Sequence, residues 1–179
     1  MVNTVQARLF GSDVSLELNA PWTTYWTVFL RLVMGWYFLY AGLEKYTWAF
    51  ASEPFNAAGW LGGATRGTLV YPITGWAAST PWALGFANVM IPLGETLIGL
   101  GLLVGALVRL ASFFGAFLMF FFYFGNADWA NGFVTGDLLG LLLFLTMIVW
   151  GAGRVFGVDD WLESTDYVRS HPWLRYLLG

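Results

Sequence analysis

The sequence predicts an all-α integral membrane protein: a four-transmembrane-helix bundle with a long outer loop between helices 1 and 2 and a short amphipathic C-terminal helix. Three observations lead to this prediction. Charged residues make up only 11% of the 179-residue chain and hydrophobic residues 58%, whereas soluble domains carry about 25% charged residues. Aromatic residues reach 20%, which is typical of chains anchored at membrane interfaces. Four apolar stretches are also long enough to cross a bilayer.

The predicted membrane helices cover residues about 22–44, 82–105, 107–126 and 136–154. Pro21 and Pro81 precede the first two, and proline is favoured at helix starts. The second and third helices are separated only by Gly105-Ala106, which predicts a tight helical hairpin. The length fits one membrane domain, with an interfacial tail at residues 155–179.

The basic residues near the predicted helix ends determine the expected orientation. If both termini face the cytoplasm, the inner side holds five arginines, namely Arg8, Arg109, Arg154, Arg169 and Arg175. The outer side then holds only Lys45 and Arg66. We therefore expect a multi-pass protein of the cell membrane with both termini cytoplasmic.

The segments outside the predicted membrane helices also have recognisable patterns. Residues 46–81 are long for a loop and rich in Gly, Trp and Phe, so we expect short helices near residues 52–60 and 70–79. In the tail, acids alternate with apolar residues, and Asp159 is a candidate N-cap for a short amphipathic helix. The first twenty residues lack the apolar core of a signal peptide, which predicts a polar segment on the membrane face.

Charged residues within predicted helices 1 and 2 are the first candidates for a site. One face of helix 1 carries residues at alternating four- and three-residue steps: Arg31, Gly35, Phe38, Gly42 and Lys45. Such spacing places side chains on one helix face. Helix 2 repeats the same spacing with Asn88, Pro92, Glu95, Gly99 and Leu102. Glycines on these faces would let the two helices approach closely.

Arg31 and Glu95 are predicted to form an ion pair within the membrane. At 1.5 Å per residue, Arg31 lies roughly 13 Å from the start of helix 1, and Glu95 lies roughly 15 Å from Gly105. Antiparallel helices would bring them to the same depth, and either charge alone would cost roughly 2.5–3.5 kcal/mol. The pair has two interpretations that stay open: it holds the helix register, or it borders a ligand or proton site.

A second polar group is predicted at the outer end of the bundle: Glu44, Lys45, Asn126, Asp128 and Asp137. Asp137 is placed to cap helix 4 and to neutralise Lys45. Solvated loop charges would explain the group equally well. The aromatic run FLMFFFYFGN of helix 3 is interpreted as lipid-facing or core-filling, with a quinone-type pocket as the alternative.

The composition excludes several kinds of site. The chain has no cysteine, which excludes disulfides and iron–sulfur clusters. Its one histidine, His171, lies in the polar tail, so a bis-histidine haem cannot form within one chain. We predict no metal site. No basic patch supports a nucleic-acid partner.

These residues resemble the DoxX/DoxD family of small four-helix membrane proteins. The resemblance covers most of residues 29–159 and rests on three stretches: the helix 1 face from Arg31 to Lys45, GETLIGLGLLVGALVRLAS with Glu95 and Arg109, and GAGRVFGVD from Gly151 to Asp159. The family implies a four-helix bundle. Its best-understood members resemble DoxD, the membrane subunit of an archaeal thiosulfate:quinone oxidoreductase, which is partnered by a DoxA subunit.

The resemblance implies a membrane subunit of a quinone-linked oxidoreductase. It makes a quinone the expected cofactor, held without a covalent bond by candidate binding residues Arg31, Glu95, Lys45 and Asn88. Glu95 and Arg31 are the candidate catalytic residues, with Glu95 able to take up protons. The chain carries no DoxA-like domain, so thiosulfate oxidation would need a DoxA-like or other redox subunit.

Two other functions remain open from the sequence. The chain could be a structural or accessory subunit of a larger membrane complex, without chemistry of its own. It could also form a small-solute or proton pathway, although predicted helices 3 and 4 carry almost no polar residues between their ends. Membrane lipid is an expected partner in every case, and the aromatic outer loop allows contacts between copies of the chain.

Overall fold

A computed structural model describes residues 2–9, 12–127, 129 and 132–179. Within these residues the chain is helical apart from an N-terminal β-hairpin. Two strands and seven α-helices follow one another in this order: β1 (Val2–Leu9), β2 (Ser12–Asn19), α1 (Ala20–Leu43), α2 (Tyr71–Ser79), α3 (Pro81–Val104), α4 (Val108–Asn126), α5 (Gly136–Trp150), α6 (Val158–Ser164) and α7 (Asp166–Ser170). A π-helical turn (Gly59–Ala64) precedes α2, and 3₁₀ turns lie at Ala152–Arg154 and Pro172–Tyr176.

Three of the described helices are long and apolar enough to cross a membrane: Pro21–Leu43, Pro81–Val104 and Val108–Asn126. Helix α5 is equally apolar but has 15 residues, about 22 Å at 1.5 Å per residue. It ends at Trp150 instead of continuing to residue 154, because Gly151 turns the chain at φ +60° before the 3₁₀ turn. An apolar helical bundle is confirmed, and its fourth helix is shorter than predicted.

Helices α1 and α3 pack antiparallel along the faces that carry their glycines. A Cβ on Gly42 would lie 2.6 Å from the backbone nitrogen of Thr96. Nearer the other end of α1, a Cβ on Gly35 would lie 3.0 Å from the backbone nitrogen of Leu103. Gly99 of α3 in turn lies against the backbone of Leu39. The glycines therefore set both the distance between the two helices and their register.

Helices α4 and α5 form a second pair built on the same principle. Gly115 of α4 lies against the ring of Phe144, and Gly140 of α5 lies against Met119. The Phe144 ring also meets Phe38 of α1 edge to face, with centroids 4.9 Å apart. Both phenylalanines are fully buried, so this contact joins the two helix pairs in the core.

The surface of the bundle is strongly aromatic. On α4, four phenylalanines of the predicted run and its surroundings are about half exposed: Phe113, Phe114, Phe117 and Phe120. On α1, a stripe of exposed rings includes Trp22, Trp26, Trp36 and Tyr40. Such a surface suits contact with lipid and not with water. This favours the lipid-facing interpretation of the aromatic run FLMFFFYFGN, which lies in α4.

Two short helices were predicted for the loop between α1 and α3. One lies where it was predicted, and the other is displaced. The helix predicted near residues 70–79 is α2. No helix covers residues 52–57, and the π-helical turn begins only at Gly59. Asn88 of α3 fastens the loop, since its side-chain oxygen accepts a hydrogen bond of 2.8 Å from the backbone nitrogen of Ala57.

The N-terminus differs from the predicted polar segment. β1 and β2 pair antiparallel with Val2 opposite Asn19 and Leu9 opposite Ser12, and α1 begins directly after β2. At the opposite terminus, the single amphipathic helix predicted for the tail is divided into α6, α7 and a 3₁₀ turn.

Candidate functional site

Arg31 and Glu95 lie at opposite ends of the α1–α3 pair. Within the described residues no ion pair joins them, and the predicted Arg31–Glu95 pair is wrong. Arg31 instead donates three hydrogen bonds to backbone carbonyls of the segment after α5: to Ala152 at 2.7 Å, Val155 at 2.8 Å and Phe156 at 3.1 Å. Glu95 meets Lys45, whose Nζ lies 2.7 Å from Oε2.

The register of the two helices explains this exchange of partners. Gly42 lies beside Thr96, and Gly35 lies beside Leu103. Lys45 lies one turn after Gly42 and meets Glu95, the neighbour of Thr96. Arg31 lies one turn before Gly35 and comes beside Gly105, two residues after Leu103. The prediction placed the start of helix 1 and the end of helix 2 at the same membrane boundary, but the glycine contacts shift one helix along the other.

One end of the bundle is held together by a group that consists of Arg31, Asp159 and the backbone of residues 152–157. We call this group the Arg31 cluster. Asp159 is fully buried. Its carboxylate accepts hydrogen bonds from the backbone nitrogens of Leu107 at 2.7 Å, Val108 at 2.9 Å and Gly179 at 3.0 Å. Asp159 therefore caps the start of α4 and not its own helix, whose N-cap is Gly157. The prediction of a local N-cap is wrong.

The Arg31 cluster is closely packed around its glycines. A Cβ on Gly105 would lie 2.5 Å from the Cα of Gly157 and 2.9 Å from Arg31 Nη1. Gly105 also has φ +73°, a conformation that side chains with a Cβ disfavour. Arg31 is only 2% exposed. Since backbone atoms occupy the space around the guanidinium, this end offers little room for a ligand.

Lys45 and Glu95 form a buried ion pair at the other end of the bundle. Glu95 is 3% exposed, and the pair neutralises a carboxylate that would otherwise be stranded in the bundle. Lys45 also donates a hydrogen bond of 2.7 Å to the carbonyl of Ala41. Its Nζ lies 5.7 Å from the centroid of the Phe55 ring, within the range of a cation–π contact.

Lys45 faces a cleft of about 500 Å³, which we call the Lys45 cleft. Its lining comes from the end of α1 and from the loop that follows: Tyr40, Glu44, Lys45, Phe50, Ala51, Ser52, Glu53 and Phe55. Tyr40 and Phe50 form one wall, with ring centroids 6.0 Å apart. Ligand sites of small molecules have volumes of about 300–1,000 Å³ and combine apolar walls with a few polar groups. The cleft reaches this volume as an open groove, with aromatic rings beside charged side chains.

Asn88 and the other predicted outer residues have structural partners. The Asn88 side chain holds the loop at Ala57, as described above. Asn126 donates to Asp137 at 2.9 Å and accepts from the Trp60 indole at 2.8 Å. Asp137 therefore meets Asn126 and not Lys45, and Thr135 supplies the N-cap of α5. The predicted Asp137–Lys45 contact is wrong. Asp137 does lie in the first turn of α5, where an acid favours the helix N-terminus, and Asp128 lies outside the described residues.

The candidate residues do not form one site, because they lie at different places in the bundle. Lys45 and Glu95 come together beside the cleft, whereas Arg31 and Asn88 are engaged elsewhere. Among the described residues, no group of three or more His, Asp or Glu side chains could hold a metal ion. Chemically, the Lys45 cleft offers an ammonium donor, a carboxylate behind it and aromatic walls.

Six residues of the cleft were not predicted as site residues: Tyr40, Phe50, Ala51, Ser52, Glu53 and Phe55. Phe50, Glu53 and Phe55 lie in a loop whose fold no local pattern specifies. Tyr40 had a detectable signal, because it precedes Glu44 by one helical turn and therefore shares its helix face.

Comparison with known proteins adds one match. A family model described as "TQO small subunit DoxD" matches residues 26–177, which include both the Arg31 cluster and the Lys45 cleft. Neither a curated protein nor a solved structure was found to match the chain.

Proposed function

Because the chain belongs to the DoxD family, we propose that it is the membrane subunit of a thiosulfate:quinone oxidoreductase-like complex. We further propose that the headgroup of a quinone binds in the Lys45 cleft. The buried Lys45–Glu95 ion pair beside this aromatic cleft is the observation that carries the proposal. Arg31, which the sequence suggested as a quinone ligand, is left out because backbone carbonyls engage its guanidinium.

The residues of the cleft fit a quinone headgroup. A planar ring with two carbonyl oxygens needs apolar walls and at least one hydrogen-bond donor. Phe50, Phe55 and Tyr40 supply the walls. Lys45 carries three N–H donors, of which one is hydrogen-bonded to Ala41, and the ammonium is ion-paired with Glu95. Its side chain is 19% exposed. A further donor supports a hydrogen bond to a carbonyl oxygen in the cleft.

Glu95 supports a role in proton supply at the same place. A bound quinone would accept two electrons and two protons. Lys45 would orient the acceptor by a hydrogen bond and stabilise negative charge that develops on its oxygen. Lys45 would pass a proton to the reduced oxygen, and Glu95, ionised in the pair, would relay a proton from water at the open mouth of the cleft back to Lys45. A second such transfer would supply the second proton. The electrons would come from a partner subunit that binds the sulfur donor.

We also propose a four-span topology with both termini in the cytoplasm. Helix α5 would be the fourth span, since its 15 apolar residues cover most of the hydrocarbon core of a bilayer. Arg109 supports the orientation, since it donates to the carbonyl of Arg175 at 3.0 Å and thereby joins two arginine-bearing segments at the Arg31 end. The excess of arginines at this end favours a cytoplasmic location, so the Lys45 cleft would open on the outer side.

Photoaffinity labelling of the complex tests the proposal. The complex would be purified from native membranes in mild detergent, its subunits identified by mass spectrometry, and an azido-quinone crosslinked to it. We expect the adduct in the peptide of residues 40–55. Lys45→Met should reduce this adduct at least fivefold, whereas Arg66→Met, which removes an exposed cation from the same loop, should not. Adducts only on other segments, in a complex that reduces quinone with thiosulfate, would overturn the site.

A second function is favoured by the Arg31 cluster. The cluster joins α1, the start of α4 and the C-terminal tail by hydrogen bonds, which is the construction expected of a rigid scaffold subunit. In that case the chain would hold a partner subunit at the membrane without binding quinone itself. Glu95→Gln would then lower the yield of the assembled complex and leave the turnover per assembled complex unchanged.

A further inference from the structure

Resting on the proposed function, we infer that the Lys45 cleft admits an uncharged ligand and rejects anions. The anionic sulfur donor therefore does not share this cleft with the quinone and binds elsewhere in the complex.

The charges around the cleft are mostly negative. Glu44 and Glu53 line its mouth and both are exposed. Glu95 lies directly behind Lys45. Three carboxylates thus surround one ammonium, which leaves an excess of two negative charges. A dianion such as thiosulfate would be repelled on approach, most strongly at low ionic strength, where charges several ångströms apart are little screened.

The one cation of the cleft is already committed. Lys45 is paired with Glu95 at 2.7 Å and hydrogen-bonded to Ala41 at 2.7 Å. An anion that took Lys45 for itself would have to displace Glu95. This would leave a carboxylate that is 3% exposed without its counter-ion, which is strongly unfavourable in a buried position. A neutral carbonyl oxygen needs only a further N–H donor and leaves the pair intact.

Among the described residues, no other cation lines the cleft. The cleft lining includes Lys45 and no arginine. Arg31, Arg109 and Arg154 lie at the far end of the bundle, where they contact the backbone and tail. The walls of the cleft are Tyr40, Phe50 and Phe55, which provide ring faces for stacking. The other side-chain donors of the lining are the hydroxyls of Tyr40 and Ser52, which are neutral and form weaker hydrogen bonds to anions than charged donors do.

Equilibrium dialysis with a pair of matched quinones tests the inference. The purified full chain in an uncharged detergent would be dialysed at low ionic strength against 1,4-naphthoquinone and against its anionic sulfonate, with protein-free micelles as the partition control. The chain has no cysteine, so these probes cannot add to a thiol. We expect the neutral quinone to bind about tenfold more tightly than the sulfonate, the size expected for two carboxylates within several ångströms of the added charge.

Two double variants separate a local from a global charge effect. Glu44→Gln with Glu53→Gln should reduce the tenfold preference to about twofold or less, and added salt should do the same in the unmodified chain. Asp160→Asn with Asp166→Asn makes the same change in net charge at two exposed positions of the tail and should leave the preference unchanged.

The outcomes distinguish this inference from the proposed function. Equal binding of both probes, or an equal effect of the two double variants, would overturn the inference while leaving a quinone site in place. Competition by thiosulfate for the neutral quinone on the isolated chain would overturn it as well. If neither quinone binds above the micelle control, the proposed quinone site itself fails, and with it the assignment of the cleft to an uncharged ligand.

Discussion

The Arg31 cluster and the Lys45 cleft both hold a basic residue of the same helix face, but they use it differently. Arg31 is 2% exposed and donates only to backbone carbonyls. Lys45 has a side chain that is 19% exposed, pairs with a carboxylate and borders a cleft of about 500 Å³. One basic residue is surrounded by the chain itself, and the other faces open space.

This difference indicates which charge is structural and which is available for chemistry. A guanidinium has donors in a rigid fork, and those of Arg31 tie a turn of the tail to α1. An ammonium on a flexible stem retains a donor for a ligand while keeping its counter-ion. The same spacing along α1 therefore serves two purposes, and only the contacts tell them apart.

Removal of the Arg31 guanidinium should have the largest effect on stability. Arg31→Met leaves one buried and two part-buried carbonyls without their donor, and we expect a loss of about 3 kcal/mol in the free energy of unfolding. The measurement is thermal unfolding in detergent, followed by size-exclusion chromatography. A melting temperature equal to that of the unmodified chain would show that the Arg31 cluster is not a structural fastening.

The close approach of α1 and α3 should be the next most sensitive feature. Gly42→Ala places a Cβ 2.6 Å from the Thr96 nitrogen, and overpacking of this kind costs about 1–3 kcal/mol. Gly94→Ala is the matched control, since nothing lies within 4 Å of its Cβ position. We expect the control to melt at or slightly above the temperature of the unmodified chain. Equal melting of the two variants would contradict the register that joins Lys45 to Glu95.

Loss of the cap that Asp159 provides for the distant helix α4 should reduce stability by a smaller amount. Asp159→Asn retains only one acceptor oxygen for the three backbone nitrogens of Leu107, Val108 and Gly179, and we expect about 1–2 kcal/mol of destabilisation. Asp160→Asn changes the exposed neighbour and should alter stability by less than about 0.5 kcal/mol. Hydrogen exchange at the amides of Leu107 and Val108 would localise the effect. Unchanged protection there would argue against the cap.

Removal of both partners of the Lys45–Glu95 ion pair should have the smallest effect on stability. Glu95→Gln alone leaves the Lys45 ammonium unpaired, although water in the cleft can solvate it, and we expect a loss of about 1–2 kcal/mol. The double variant Lys45→Met with Glu95→Gln removes both charges and should recover most of that loss. A thermal melt of the single and double variants checks this order. A double variant less stable than Glu95→Gln would mean that the pair is needed for the fold.

Part of this architecture follows from sequence patterns alone. Apolar length identified the helices, and Gly105 between two such runs predicted the α3–α4 hairpin. The motif stretches indicated the family that the match over residues 26–177 shows. These features are local or depend on the order of residues, so no three-dimensional contact was needed to predict them.

The partners of the charged residues could not be predicted from the sequence, because they depend on the register between α1 and α3. Depth was counted from predicted helix ends, whereas contacts at Gly35, Gly42 and Gly99 determine which residues face each other. Asp159 caps a helix that begins about fifty residues earlier in the chain, and no local signature marks such a partner. The N-terminal hairpin did have a signal, since Val14, Leu16 and Leu18 alternate with polar residues as strands do.

The most direct test is the binding of a quinone to a double variant of the Lys45 cleft. It asks whether the cleft is the functional end of the bundle and the Arg31 cluster the structural end. Lys45→Met with Glu95→Gln should fold, assemble with its partner subunits and bind 1,4-naphthoquinone at least tenfold more weakly than the unmodified chain in equilibrium dialysis. Asp159→Asn, in contrast, should lose stability and keep its quinone affinity once folded. Unchanged quinone affinity in the double variant, or a loss of affinity only in folded Asp159→Asn, would contradict the assignment of the Lys45 cleft as the functional end.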